Sequence, residues 1–322
     1  MVYRPIIIVA GEPNSIFSEI FLKSIKYKKF KSPIILIASH RLIQKQMKKL
    51  SIYRKIRLVN FLKLKKNHLD NKEINLIDVD FSQKKPFDKI SSKSNEYINR
   101  SFDIAIEIIK KKISNKLING PISKKFFLKK KYLGITEYLA HKTRTKNFAM
   151  LIYNKDLSVC PLTTHLPIKQ VPKNINKDMI KKKIKLINNF FKKYLNQTPN
   201  IAITGLNPHC ESIDAFDEDE KIIKPAIKSL KKLNYRIFGP FAADTIFLKK
   251  NREKYKIVVG MYHDQVLTPI KTLFEYDAIN ITLGLPFIRV SPDHGPNELM
   301  MGKNKSNPLS LIKALTFLDF KK

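Results

Sequence analysis

Short β-branched runs alternate along this chain with longer lysine-rich segments in which apolar residues recur every three or four positions. That alternation is the pattern of an α/β protein. Residues 6–9, 34–37, 117–118, 149–153, 201–204 and 257–260 read as strands. Residues 176–195 read as a helix: Ile180, Ile184, Ile187, Phe191 and Tyr194 form one apolar stripe and lysines fill the rest. A second helix is expected over 219–233, with acidic residues in its first turn and lysines near its end, as the helix dipole favours. Residues 45–94 are the least legible part and are expected to hold surface insertions with little bearing on function. No internal repeat and no Gly/Ser-rich or Pro-rich linker marks a boundary.

Composition changes this picture only slightly. With 322 residues, 43% of them hydrophobic, the chain has material for one large domain or two ordinary ones. No run approaches the roughly 18 apolar residues of a membrane helix, and the run from Ile6 to Ala10 is too short for a secretion signal. No membrane partner is expected. Cys160 and Cys210 are too few for a disulfide framework and read as free thiols in a reducing compartment, the cytoplasm. The net charge of +35 would suit a nucleic-acid binder, but the excess is lysine spread along the whole chain, with only nine arginines. No specific nucleic-acid partner is expected. A small anionic substrate gains from the same positive field.

The candidate chemistry lies in three segments of one design. Residues 158–164 run into His165-Leu166-Pro167, residues 201–204 into Gly205-Leu206-Asn207-Pro208-His209, and residues 257–262 into His263-Asp264-Gln265. Ligands of open α/β sheets bind beyond the carboxyl ends of the strands. Three imidazoles converging there would suit a divalent ion and leave positions open for substrate. On spacing alone, each histidine reads more readily as a polar loop residue or a satisfied cap. His40, His68 and His141 read as surface residues, and His294 as a turn or supporting residue. Cys210 reads as a buried thiol rather than a partner of His209. The nine glycines include neither a G-x-G-x-x-G nor a P-loop, which excludes a glycine-rich Rossmann turn and a Walker-type ATPase; no G-x-S-x-G elbow supports a serine hydrolase.

Several motifs in order carry a family likeness. Thr163-Thr164-His165-Leu166-Pro167, Gly205-Leu206-Asn207-Pro208-His209, Ala243-Asp244-Thr245-Ile246-Phe247, Met261-Tyr262-His263-Asp264-Gln265, residues 280–289 and Asp293-His294-Gly295 resemble the motifs of the 4-hydroxythreonine-4-phosphate dehydrogenases of pyridoxal 5′-phosphate biosynthesis. The resemblance runs from the first strand almost to residue 322, densest from Asn119 onward and thin between Lys45 and Ser94.

The resemblance implies two α/β/α domains similar to the isocitrate and isopropylmalate dehydrogenase fold. They would comprise residues 1–125 plus 282–322 and residues 126–281, with the active site in the interdomain cleft at a homodimer interface. It implies NAD (or NADP) bound without a glycine fingerprint, and one divalent metal ion, zinc, cobalt or magnesium, on His165, His209 and His263. It implies Thr136, Lys271, Asn280 and Arg289 as substrate-binding residues, and Lys271 with Asp244 as catalytic candidates. Asp264 is a third possible proton acceptor. By residue type alone, Lys271, Asn280 and Arg289 would be solvated loop residues.

The implied reaction is oxidation of 4-phosphohydroxy-L-threonine at C3. The metal acidifies the hydroxyl, the nicotinamide takes the hydride, and the β-keto acid loses CO₂ to give 3-amino-2-oxopropyl phosphate. Two positions depart from the family. Its Gly-His-Thr-Glu reads Gly134-Ile135-Thr136-Glu137 here, so Ile135 cannot donate the histidine's hydrogen bond. The loop after the first strand, Gly11 to Glu19, lacks two of the family's glycines. Two rivals follow: a sibling dehydrogenase acting on threonate or erythronate 4-phosphate, and a three-histidine metallohydrolase.

Overall fold

The structure, a computed structural model, describes residues 3–64, 69–129, 131–275, 277–292 and 295–320. In chain order its main elements are β1 (Ile6–Val9), α1 (Phe17–Tyr27), β2 (Ile34–Ala38), α2 (His40–Leu50), β3 (Ile56–Leu58), β4 (Ile74–Asp78), α3 (Asn95–Lys110), β5 (Lys116–Asn119) and α4 (Ile135–Lys142). There follow β6 (Ala149–Tyr153), β7 (Ser158–Pro161), α5 (Val171–Asn174), α6 (Lys177–Phe190), β8 (Ile201–Thr204), α7 (Lys224–Lys232) and β9 (Ile237–Phe241). The remainder is α8 (Ala243–Ile246), α9 (Lys249–Arg252), β10 (Ile257–Gly260), α10 (His263–Phe274), β11 (Ile279–Leu283), β12 (Ile288–Pro292) and α11 (Leu309–Leu318). The chain folds as two compact units, unit 1 comprising residues 1–138 and 286–322 and unit 2 residues 139–285.

In unit 1 the strand order is β3-β4-β2-β1-β5-β12, every neighbour parallel. Parallel strands are covered on both faces, so they read as unbroken apolar runs rather than alternating ones. Ile6, Ile7, Ile8 and Val9 of β1 and Ile35, Leu36 and Ile37 of β2 are accordingly sealed from solvent. Lys116 of β5 is one of the polar side chains buried among them. Its ammonium donates to the Phe320 carbonyl at 2.6 Å and the Ser32 hydroxyl at 3.3 Å, and sits 4.3 Å from the centre of the Phe320 ring.

The segment 45–94 corrects the expectation of surface insertions. It contributes β3 and β4, and Ile74, Asn75, Leu76 and Ile77 of β4 are buried in the sheet. The strand was obscured because Asn75 interrupts its apolar run. The Asn75 amide is satisfied by donating to the carbonyls of Ile34 and Asp70 at 2.9 and 2.7 Å.

Unit 2 has strand order β11-β6-β7-β10-β8-β9, with β6 antiparallel to both neighbours and β7, β10, β8 and β9 mutually parallel. Its core gathers Met150, Ile152, Val159, Ala202, Val258, Val266 and Ile270. Helix α6 starts where the side chain of Asn176 accepts from the Met179 N–H at 2.8 Å, and it buries Ile180, Ile184 and Ile187. A π-helical turn, Phe191–Leu195, carries the helix to the end expected from the sequence. The expected helix 219–233 likewise forms as a π-helical turn, Asp219–Ile223, leading into α7. Among the described residues no helix is long and apolar enough to cross a membrane.

Candidate active site

Strands β7, β10 and β8 lie side by side and parallel, with Pro161 opposite Gly260 and Ile203 opposite Val259. Their carboxyl ends therefore open on one edge of unit 2, and the residues that follow carry His165, His263 and His209. The His165 and His263 rings lie tilted against each other, centroids 5.8 Å apart. Two imidazoles bound at about 2.1 Å to one ion would place their centroids roughly 5–6 Å apart, so this pair fits two sites on a shared metal.

The Nδ1 of His263 lies 2.8 Å from the carboxylate of Asp264. A carboxylate only accepts, so the neutral ring carries its proton on Nδ1 and keeps its lone pair on Nε2. Carboxylate-to-histidine contacts of this kind orient metal ligands. Among the described residues, however, no three His, Cys, Asp or Glu side chains are gathered to hold an ion. The structure brings His165 and His263 together and does not bring His209 to them.

His209 is exposed and has a φ of 56°, and Cys210 follows with a φ of 63°. Left-handed backbone costs about 1 kcal/mol for residues other than glycine, so something must hold this turn. Buried Asp219 does so, accepting from the backbone N–H groups of Leu206 and Asn207 at 3.0 and 3.1 Å. Gly205 leaves room for that carboxylate, since a Cβ there would sit 2.6 Å from Asp219 Oδ1 and 2.7 Å from Cys210 Sγ. Both cysteines are buried free thiols, and burial pushes Cys160 up to about 11 and raises Cys210 as well. Neither is a metal-ready thiolate.

The other unit 2 candidates are spread over neighbouring elements. Lys271 is on α10, two turns beyond His263 and so about 12 Å further along the helix. Burial lowers its pKa, which eases proton transfer at the amine. Asn280 is in β11, not in a loop, and its buried Oδ1 accepts no hydrogen bond among the described residues. Asp244, in the first turn of α8, is exposed, and its charge is felt by Cys210. Asp264 is exposed apart from its contact with His263.

Unit 1 holds the remaining pair. Arg289 is not a solvated loop residue: it lies in β12, fully buried. Its Nε donates to Asn119 Oδ1 at 2.8 Å, and its Nη1 reaches the Thr136 hydroxyl at 3.5 Å. Burial lowers its pKa to about 10, while the charge of Glu137 acts in the opposite sense. A guanidinium so fixed and desolvated suits a carboxylate or phosphate. Ile135, the first residue of α4, is half-buried and offers no polar atom.

His68, Asp293 and His294 lie outside the described residues; His141 is exposed and His40 half-buried. Sequence reasoning overlooked Asn119, which ends β5, and Asp219, whose value depends on a loop twelve residues earlier. Gln265 stands out in the sequence only as part of the Met261-Tyr262-His263-Asp264-Gln265 motif.

Known proteins supply the context. The chain is 38% identical over 317 residues to a 4-hydroxythreonine-4-phosphate dehydrogenase of Sulfurihydrogenibium sp. (strain YO3AOP1), covering 96% of this chain and 95% of that one. It is 28% identical over 96% of both chains to a D-threonate 4-phosphate dehydrogenase of Salmonella typhimurium. The crystal structure of a 4-hydroxythreonine-4-phosphate dehydrogenase from Klebsiella pneumoniae superposes with a TM-score of 0.85 at 27% identity, covering 98% of this chain and 97% of that one. At the level of fold alone, isocitrate dehydrogenase from Methylococcus capsulatus matches with a TM-score of 0.52 at 7% identity, over 98% and 84% of the two chains. The family model for the pyridoxal phosphate biosynthetic protein PdxA matches residues 29–318, and the chain belongs to that family.

Proposed function

We propose that this protein is the dehydrogenase of pyridoxal 5′-phosphate biosynthesis that oxidises 4-phosphohydroxy-L-threonine at C3 to a β-keto acid, which decarboxylates to 3-amino-2-oxopropyl phosphate. The observation that carries the reading is the facing pair His165 and His263 at adjacent strand ends of a chain belonging to the PdxA family. The pair, with Asp264 orienting one ring, fits a divalent metal, and His209 would complete the set from the other neighbouring strand end. When bound, that ion would acidify the C3 hydroxyl and NAD (or NADP) would accept the hydride.

The chain's own residues supply the rest. Arg289, braced by Asn119 and Thr136, grips a substrate carboxylate or phosphate with its fork. Asn280 turns its buried Oδ1 to a substrate donor. Lys271, its amine eased toward neutrality, takes the hydroxyl proton; Asp244 and Asp264 are the other acceptors. The proposal includes a homodimer in the cytoplasm, as the family resemblance implies.

A second reading is favoured by Ile135 and by the likeness to a D-threonate 4-phosphate dehydrogenase: a sibling enzyme for a phosphorylated hydroxy acid without the amino group. NADH formation measured at 340 nm separates the two. Turnover of 4-phosphohydroxy-L-threonine well above that of D-threonate 4-phosphate is expected. The reverse preference would establish the sibling, and hydrolysis without NAD reduction would establish a metallohydrolase.

A further inference from the structure

We infer that Gln265 is a positioning residue for the histidine site, locking the loop that carries His209 to the strand end that carries His263. The inference deepens the proposed metal site and rests on that reading. Gln265 follows His263 by two residues in α10, yet its side chain turns inward and is buried. Its Oε1 accepts from the Met261 N–H at 2.7 Å and from the Thr204 hydroxyl at 2.8 Å, and its Nε2 donates to the Gly205 carbonyl at 2.9 Å. Thr204 and Gly205 mark the end of β8, and Met261 is the first residue past β10. One amide thus holds both strand ends.

The backbone of Met261 is the node of the arrangement. Its N–H is held by Gln265, and its carbonyl accepts from the Thr163 N–H at 3.1 Å and the Thr163 hydroxyl at 2.7 Å. Thr163 stands two residues before His165, so the His165 segment is pinned directly to the Met261 backbone and the His209 segment through Gln265. The sequence makes space for this: a Cβ on Gly260 would lie 3.0 Å from Gln265 Oε1 and 2.4 Å from Val266 Cγ1. A primary amide meets this demand at any pH, because it offers two acceptances and one donation from one planar group without having to bind a proton. Glutamate keeps the acceptances and turns an oxygen on the Gly205 carbonyl; leucine loses all three contacts.

The experiment compares the full-length wild type with Gln265→Leu, Gln265→Glu and Ile184→Ala, the last destabilising unit 2 from a buried position on α6, a helix that carries none of the three histidines. Co²⁺ and Zn²⁺ affinities are measured by competition with a chromophoric chelator, and amide hydrogen exchange is followed in the metal-free proteins. Gln265→Leu is expected to weaken both metals by roughly 10- to 100-fold, the usual range for residues that support ligands. Exchange should quicken together in residues 205–210 and 261–264, with Gln265→Glu intermediate.

The inference is overturned if Gln265→Leu binds Co²⁺ as tightly as Ile184→Ala, or if exchange quickens in neither loop or in only one. If the wild type binds neither ion, the metal reading falls while the exchange data still decide whether Gln265 couples the loops. If Gln265→Leu does not fold, Gln265→Glu and Thr204→Val carry the same comparison, each expected to loosen both loops by less.

Discussion

Unit 1 takes Glu12, Glu19, Lys116 and Arg289 almost wholly out of water, whereas among the described residues of unit 2 Asp219 is the only Asp, Glu, Lys or Arg so deeply buried. The histidines of unit 2 named here for metal stay half-buried or exposed. A buried charge is tolerable only with partners, and unit 1 provides them: Glu19 takes the Lys23 ammonium at 2.8 Å, and Arg289 takes Asn119 at 2.8 Å. On the proposed function, Arg289 is therefore locked by its neighbours before any substrate arrives. Unit 2 works the other way, spending its buried polar groups (Asp219, Gln265, Thr163) on backbone and leaving within reach of solvent the imidazoles proposed to take an ion. The lesson is that preorganisation acts on the functional group itself in one unit and on the loop beneath it in the other.

That contrast can be broken by substitution. The largest effect is expected from His263→Ala, which should lower kcat/KM by about 10³-fold, several kcal/mol of transition-state stabilisation, with little change in Tm because the ring is partly exposed. A large drop in Tm with modest loss of activity would make His263 a structural residue. Arg289→Lys keeps the charge but loses the fork, and should lower kcat/KM by roughly 100-fold, mostly through KM. An unchanged KM would remove Arg289 from the substrate.

The smallest effect concerns stability. Burial lifts Glu12 from its ordinary 4.5 to about 7, against the pull of hydrogen bonds from Asn14 and Ser94. Its folded pKa lies above its unfolded one, so its contribution is complete below pH 4.5 and is lost as pH rises through about 7. Glu12→Gln should remove that decline, worth roughly 2 kcal/mol, as read from urea midpoints at pH 5 and pH 8. Equal pH dependence in wild type and variant would count against a desolvated carboxyl in this loop.

How much of this was legible follows from the residues themselves. Strands β1, β2 and β10 announce themselves because both of their faces are buried and every position is apolar. β4 did not, because one buried asparagine broke the run while making its own hydrogen bonds. The histidines could be flagged from their place after strands, but the meeting of His165 with His263 depends on β7 lying beside β10, which local pattern does not encode. Arg289 resembled a surface arginine near a proline because the partner that its Nε donates to, Asn119, is 170 residues away in sequence. Nothing local marks Gly205 and Gly260, because the side chains of Asp219, Cys210 and Gln265 that occupy the space a Cβ would need come from later in the chain.

The division of the chain also sets an order of assembly during synthesis. Unit 2 is one continuous stretch and can close once residue 285 has left the ribosome. Unit 1 cannot: β5 waits for β12 as its neighbour, and the ammonium of Lys116 waits for the Phe320 carbonyl. The first half of unit 1 must therefore persist with β5 unpaired along one edge, and with the Lys116 ammonium lacking its Phe320 acceptor, while unit 2 is being made. Nascent chains stalled before residue 286 should accordingly be the species that chaperones hold and proteases find, and release past residue 320 the event that protects them.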